Sequence, residues 1–221
     1  MSISIYCDSG DLAQIKRYAD DPRIKGFTTN PSLIRKFVRL HNYRQFAKAA
    51  TSAVNDKVIS LEVIADEWET MEAQARELAA LGPNVYVKIP ITNTKGESSR
   101  PLIEKLADLN LNVTAVMTRE QVDHVVPVMR AHHILSIFNG RITDTQRYAM
   151  CFWKHTRPIM HLLWASARHI GCVKEAEGGN FDIITLSPEL IEKLPLAGKD
   201  LTQYSLETVA QFYRDGQGIE W

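Results

Sequence analysis

Ser2-Ile3-Ser4-Ile5-Tyr6-Cys7-Asp8 alternates apolar and polar side chains, and the period changes in the residues that follow, Ser9 to Ala19. Alternation by two marks a strand with two different faces, whereas Leu12, Ile15 and Ala19 share one face of a helix. Ser9 is positioned to cap that helix. A second β-rich run, Gly26–Asn30, comes next, so the stretch reads as one strand–helix–strand unit. Six further runs repeat the plan: Val58–Val63, Asn84–Pro90, Asn110–Met117, His133–Phe138, His161–Ser166 and Phe181–Ser187. Eight strands in 221 residues leave about 28 residues for each unit, the spacing of βα repeats.

Helix signals fill the intervals. Asp66 opens a run that places Trp68, Met71, Ala75 and Leu78 on one face, and Gly82-Pro83 stops it. Thr118 with Gln121 forms a capping-box pattern, and Ser187-Pro188 is an N-cap followed by proline at the first helical position. The pattern predicts a single-domain (β/α)8 barrel of the α/β class over residues 1–221. An open doubly wound sheet is the competing arrangement, but nothing resembles its Gly-rich phosphate turn. A last amphipathic segment, Leu201 to Tyr213, is expected to form an extra C-terminal helix at about residues 200–215 that closes the barrel or packs on a neighbouring subunit.

Composition narrows the class. At 45% hydrophobic and 24% charged residues, the chain has the make-up of a soluble globular protein. Its 26 basic residues cancel 26 acidic ones, so no global field would hold nucleic acid or an anionic membrane. No apolar run approaches the roughly 20 residues of a membrane span, and the first residues lack the pattern of a secretory signal. Cys7, Cys151 and Cys172 are too few and too scattered for a disulfide framework or a Cys-rich metal site. Cys7 is read as an inert residue facing the helix layer, and Cys151 and Cys172 as helix residues. Trp68, Trp153, Trp164 and Trp221 are read as packing residues. The expectation is a cytoplasmic protein with no nucleic-acid or membrane partner.

Barrel strands alternate between the axis and the helix layer. Because Ile3, Ile5 and Cys7 are apolar, Ser4, Tyr6 and Asp8 are expected to point inward. The same parity turns Ser60 and Glu62, Tyr86 and Lys88, Asn112 and Thr114, and Ser136 and Phe138 toward the axis. Ser166, with Arg168 beyond it, is placed inward with Leu162 and Trp164. These polar groups fall near the C-terminal strand ends, where barrel enzymes build their sites. Left unpaired in a core, each would cost roughly 1–3 kcal/mol, so their convergence argues for a site. No His/Asp/Glu cluster shows metal-ligand spacing, and no Ser-His-Asp set can be placed. Lys88 is the one lysine within a strand's apolar run. Burial disfavours an ammonium and favours the neutral amine that attacks carbonyls. Schiff-base chemistry on a sugar or keto acid is the reading. A lysine anchoring pyridoxal phosphate is the alternative, but no Gly-rich phosphate cup accompanies it.

Gly26-Phe27-Thr28-Thr29-Asn30-Pro31-Ser32-Leu33 resembles the signature of transaldolases and the related fructose 6-phosphate aldolases. Tyr6-Cys7-Asp8-Ser9, Leu61-Glu62-Val63, Val87-Lys88-Ile89-Pro90, Asn112-Val113-Thr114 and Ser136 to Ile142 fit in the same order. Ala165-Ser166-Ala167-Arg168 and Asp182-Ile183-Ile184-Thr185 complete the series. The size is similar to the family's short subclass, which implies a homo-oligomer, a decamer of two five-membered rings, with the C-terminal helix on a neighbour. The resemblance implies that Lys88 forms the Schiff base with the C2 carbonyl of a ketose phosphate and that Asp8 is the general acid/base at the C4 hydroxyl. Glu62 and Thr114 resemble the pair that positions a catalytic water. Asn30, Asn112 and Ser136, with Thr28 beside them, resemble the groups that hold the three-carbon unit. Arg141, Ser166 and Arg168 resemble the phosphate grip of the acceptor aldose. Sugar phosphates are the implied substrates, with no cofactor and no metal.

Glu62, Phe138 and Arg168 resemble the transaldolase pattern, the aldolases tending to carry Gln, Tyr and Lys there. Transfer of a dihydroxyacetone unit to an aldose phosphate, as in the pentose phosphate pathway, is therefore expected ahead of its release by a fructose 6-phosphate aldolase-type lyase. Ile137 and Asn139 depart from the family's Pro and Val, the segment from Asn93 to Arg100 is longer than usual, and Arg147 to Trp153 is unusual. A specialised transaldolase building an unusual sugar fits these departures too. A catalytically silent barrel acting as a binding subunit is the reading from another class.

Overall fold

The computed structural model describes residues 3–37, 42–145 and 160–220. Ser2, Cys151, Trp153, Trp221 and the 147–153 segment lie outside the described residues. Eight strands follow the sequence pattern: β1 (Ser4–Asp8), β2 (Ile24–Thr28), β3 (Val58–Glu62), β4 (Val85–Pro90), β5 (Leu111–Val116), β6 (Ile134–Ile137), β7 (His161–Trp164) and β8 (Ile183–Leu186). They are parallel and close in the order β1 to β8, with Tyr6 beside Gly26 of β2 on one side and beside Thr185 of β8 on the other. Helices α1 (Leu12–Ala19), α2 (Pro31–Ile34), α3 (Tyr43–Ala53), α4 (Trp68–Ala79), α5 (Arg100–Lys105), α6 (Arg119–Val125), α7 (Asn139–Thr145), α8 (Cys172–Gly178) and α9 (Pro188–Lys193) alternate with the strands. The protein is thus a (β/α)8 barrel, and no helix among the described residues is long and apolar enough to cross a membrane.

Two hydrophobic clusters hold it. The larger lies between sheet and helices and takes in Cys7, Phe27, Leu61, Val87, Val113 and Ile184 from the strands, with Met71, Ala75 and Leu78 from α4. The smaller fills the barrel axis with Tyr6, Ile134, Leu163, Ala165 and Ile183, flanked by Val58, Tyr86 and Phe138. The inward parity expected for β1, β3, β4, β5 and β6 therefore holds. In β7 it is reversed: Leu163 and Ala165 face the axis, while Leu162 and Trp164 face the helix layer, where Trp164 meets Phe181 edge to face. Three consecutive apolar residues, Leu162 to Trp164, give no alternation from which to take a phase.

The expected caps are partly corrected. The Thr118–Gln121 capping box and the Ser187 cap are present. Ser9 does not cap α1. Its hydroxyl accepts from the Asp11 amide, and Asp11 is the cap, accepting from Ala13 N. Asp66 does not open α4, because its carboxylate accepts from the amide and hydroxyl of Thr94 and so ties the β3–α4 loop to the β4–α5 loop. The C-terminal helix forms as α10 (Leu201–Asp215), capped by Asp200, with no buried residue.

Candidate active site

At the C-terminal end of the strands a cavity of about 360 Å³ is lined by side chains from all eight strands or the loops just beyond them. A larger cavity, about 500 Å³, opens at the opposite end beside Ser4, Tyr86 and His161. Chemistry is assigned to the smaller one because it gathers an amine, two carboxylates, several hydroxyls and a guanidinium.

Lys88 rises from β4 into this cavity and is 5% exposed. Its Nζ donates to the Thr29 carbonyl at 3.0 Å and lies 3.3 Å from Glu62 Oε2. An ammonium has three donors, so these two partners leave one for a third group in the cavity. Glu62 ends β3 beside Lys88, their Cα atoms being paired in register. The half-buried Tyr43 donates its hydroxyl proton to the Glu62 carbonyl at 2.6 Å and fixes the strand end from which the carboxylate projects.

Asp8 ends β1. Thr28 Oγ1 donates to Asp8 Oδ1 at 2.7 Å and lies 2.6 Å from Thr185 Oγ1. A hydroxyl has a single proton, so if Thr28 spends it on Asp8, Thr185 must donate to Thr28, and a relay runs from Thr185 through Thr28 to Asp8. Burial pushes the Asp8 carboxyl above its ordinary range, against the opposing pull of Lys88 and of the Thr28 hydrogen bond. Thr185 was not among the expected site residues. The signal for it was the Asp182-Ile183-Ile184-Thr185 segment, in which a lone hydroxyl follows two apolar residues at a strand's end.

Beneath the cavity Asn112 Nδ2 donates to Ser60 Oγ at 3.0 Å, and Ser136 Oγ donates to Asn112 Oδ1 at 2.7 Å. This chain joins β3, β5 and β6 and satisfies three buried polar groups. Ser136 reaches the cavity wall; Asn112 does not and forms the floor. Thr114 lines the cavity with a buried Oγ1 that has no hydrogen-bond partner among the described residues. Asn30 also lines it, while its Oδ1 caps α2 by accepting from Leu33 N at 3.0 Å.

The mouth is shaped by two residues with left-handed backbone, Ala115 (φ 61°) and Ser166 (φ 63°). Such geometry costs roughly 1–2 kcal/mol for a residue with a Cβ. It breaks strand alternation, which is why Ser166 reaches the cavity even though β7 has the opposite phase from that expected. Arg141, in the first turn of α7, stands over the Phe138 ring with its guanidinium carbon 5.6 Å from the centroid, and both line the cavity. Arg168 does not line it. Its guanidinium is engaged by the Asp144 carboxylate of α7 through Nε, at 3.2 Å, and Nη2. Of the expected site residues the structure thus brings together Asp8, Thr28, Asn30, Glu62, Lys88, Thr114, Ser136, Phe138, Arg141 and Ser166, and leaves Asn112 below and Arg168 beside them.

A "Probable transaldolase 2" of Listeria monocytogenes is 29% identical over 224 residues, covering 97% of this chain and all of that protein. A "Probable transaldolase" of Mesorhizobium japonicum is 30% identical over 232 residues, covering 98% of this chain and all of that one. A "Probable transaldolase" of Nitrosopumilus maritimus is 27% identical over 226 residues, 99% of this chain and 96% of its own length. The family model described as Transaldolase/Fructose-6-phosphate aldolase matches residues 5–220, and with that span the chain belongs to the transaldolase and fructose-6-phosphate aldolase family.

Proposed function

We propose that the protein is a transaldolase that moves a dihydroxyacetone unit from a ketose phosphate such as fructose 6-phosphate to an aldose phosphate, through a Schiff base on Lys88. The observation that carries the reading is the placement of buried Lys88 between Glu62 and the Thr29 carbonyl, in one cavity with a hydroxyl-tethered Asp8. In its neutral form the Lys88 amine adds to the donor's C2 carbonyl and water leaves, with Glu62 and Thr114 holding the water that ferries protons. Asp8 takes the C4 hydroxyl proton, the C3–C4 bond breaks, and its electron pair flows into the iminium to give an enamine. The first aldehyde departs. The enamine carbon then attacks the acceptor aldehyde, whose new alkoxide recovers the proton from Asp8, and hydrolysis frees Lys88. The protonated imine is the electron sink, so this chemistry calls for no cofactor.

Phe138 supports transfer over release. It lines the cavity with a hydrocarbon ring, which orders no water for protonating the enamine. Arg141 and Ser166 at the mouth suit a phosphate, through charge-assisted hydrogen bonds. Arg168 stands beside that rim, its charge compensated by Asp144. Borohydride reduction in the presence of fructose 6-phosphate, followed by peptide mapping, tests the reading. A three-carbon adduct on Lys88, absent from Lys88→Met, is expected, with product formation that depends on an added aldose phosphate. Free dihydroxyacetone released without acceptor would assign a lyase instead, and no adduct on any ketose phosphate would leave a silent barrel.

The assembly is read from α10. Leu201, Leu206, Val209, Phe212 and Tyr213 are each at least 60% exposed, an apolar surface on one helix left open by the described residues. A neighbouring subunit covers it in the proposed homo-oligomer. Light scattering should give a multiple of 25.0 kDa that falls when Phe212 and Leu206 are both changed to Glu.

A further inference from the structure

Just outside the cavity mouth, where the β7–α8 loop enters α8, three donors of different chemistry converge. The ligand atoms of His169, Cys172 and Glu175 all lie within 4.8 Å of one another. Cys172 Sγ is 3.9 Å from His169 Nδ1. A tetrahedral zinc with a sulfur at about 2.3 Å and a nitrogen at about 2.0 Å holds those two atoms about 3.6 Å apart, within a small side-chain rotation of the observed separation. The backbone is arranged to admit the imidazole: a Cβ at Gly171 would stand 2.9 Å from His169 Nδ1 and 3.2 Å from Cε1. Cys172 is buried, His169 exposed and Glu175 half-buried. Packing alone accounts for a buried cysteine, but not for an imidazole nitrogen and a carboxylate meeting at its sulfur.

We propose that His169, Cys172 and Glu175 bind one divalent transition-metal ion of the zinc class, with water in the fourth position. Binding displaces the thiol proton to solvent, so the ion replaces one positive charge with two and leaves the thiolate bonded to the metal. The ion lies outside the reaction cavity and takes no part in the proposed aldol chemistry. It ties α8 to the chain three residues beyond Ser166, whose left-handed backbone shapes the mouth.

Cobalt(II) is the probe, because a thiolate ligand gives it a charge-transfer band in the near ultraviolet. Titration of metal-free protein should produce that band, and Zn²⁺ should abolish it by displacement. His169→Ala, at an exposed position, should weaken cobalt binding about tenfold or more, with Glu175→Gln acting in the same direction. Cys172→Ser should remove the band and Cys151→Ser should leave it intact. Should Cys172→Ser fail to fold, His169→Ala decides. Absence of a near-ultraviolet band in the wild-type protein, unchanged affinity in His169→Ala, or a band that depends on Cys151 would each overturn the proposal. None of these readouts uses the enzyme's activity.

Discussion

Gly140→Ala should damage both the fold and the cavity mouth, and the structure supplies the size of the effect. α7 starts directly after β6, and Gly140 N donates to the Ala165 carbonyl at 3.3 Å, which presses the first turn of the helix against the end of β7. A Cβ at position 140 would lie 1.5 Å from the Ser166 carbonyl oxygen and 2.6 Å from its carbon. Ordinary contact begins near 3.4 Å, so helix and strand end must separate by almost 2 Å. Overpacking costs typically 1–3 kcal/mol, and here both neighbours are backbone with no rotamer to yield, which argues for about 3 kcal/mol. At about 2–4 °C per kcal/mol for a domain of this size, the midpoint of thermal unfolding should fall by about 6–12 °C. The same separation carries Ser166 and Arg141 apart, so KM for a phosphorylated ketose should rise about tenfold or more, whereas an unphosphorylated ketose should be affected less. Gly178→Ala is the control, because a Cβ there meets nothing within 4 Å. Near the end of α8 it should be neutral or stabilise by about 0.4–1 kcal/mol. A Gly140→Ala protein that melts within about a degree of wild type would refute the packing argument.

Thr28→Val removes the hydrogen bond that favours the Asp8 carboxylate, so a pKa already raised by burial should rise further. The acid limb of the kcat/KM profile should therefore move to higher pH, and an unmoved limb would take Asp8 out of the proton transfer. Thr114→Val exchanges a buried hydroxyl, without a partner among the described residues, for a methyl, so calorimetry should show unchanged or slightly raised stability while kcat falls at least about tenfold. His133, fully buried, is pushed by burial from its ordinary 6.5 down to about 4. Its folded pKa lies below its unfolded one, so its stabilising contribution is present above pH 6.5 and lost as pH falls toward 4, up to about 3 kcal/mol. An NMR titration of its ring that gave a midpoint near 6.5 would contradict this.

What the sequence disclosed depended on local contrast. β1 and β4 were legible because Ile5 and Cys7, or Val85, Val87 and Ile89, alternate with Tyr6, Asp8 and Lys88, so one period fixes strand, phase and inward face. β7 offers no such contrast, and its phase came out reversed. Ser166 nonetheless reached the cavity because a left-handed residue ended the alternation, a feature that no residue pattern around a serine announces. Arg168 failed as a cavity residue for a tertiary reason: Asp144, 24 positions earlier, captures it. Asn112 was read correctly as inward and polar, but its depth depends on Ser60 and Ser136 arriving from other strands. The trio of His169, Cys172 and Glu175 was visible as a spacing of three and three. Nothing in that spacing sets Cys172 apart from an ordinary buried helix residue, because the three donors converge only once the β7–α8 loop turns into α8.

The barrel axis is layered, and the layering bears on how a buried lysine can be both held and reactive. An apolar plug of Tyr6, Ile134 and Ile183 lies toward the N-terminal end, with the Ser60–Asn112–Ser136 chain above it and the charged groups above that. Leaving one partner of a buried ion pair alone typically costs 3–5 kcal/mol, so a reaction that erased the Lys88 charge would strand Glu62. In the proposed reaction that charge is absent only in the neutral amine and the transient enamine, and the iminium carries it at nearly the same place as a protonated amine would. The field of Glu62 and the Thr29 carbonyl that holds one therefore holds the other. The carboxylate whose protonation must change is then Asp8, and it is the group whose proton affinity burial has raised. Its relay through Thr28 to Thr185 keeps the oxygen aimed while the proton comes and goes.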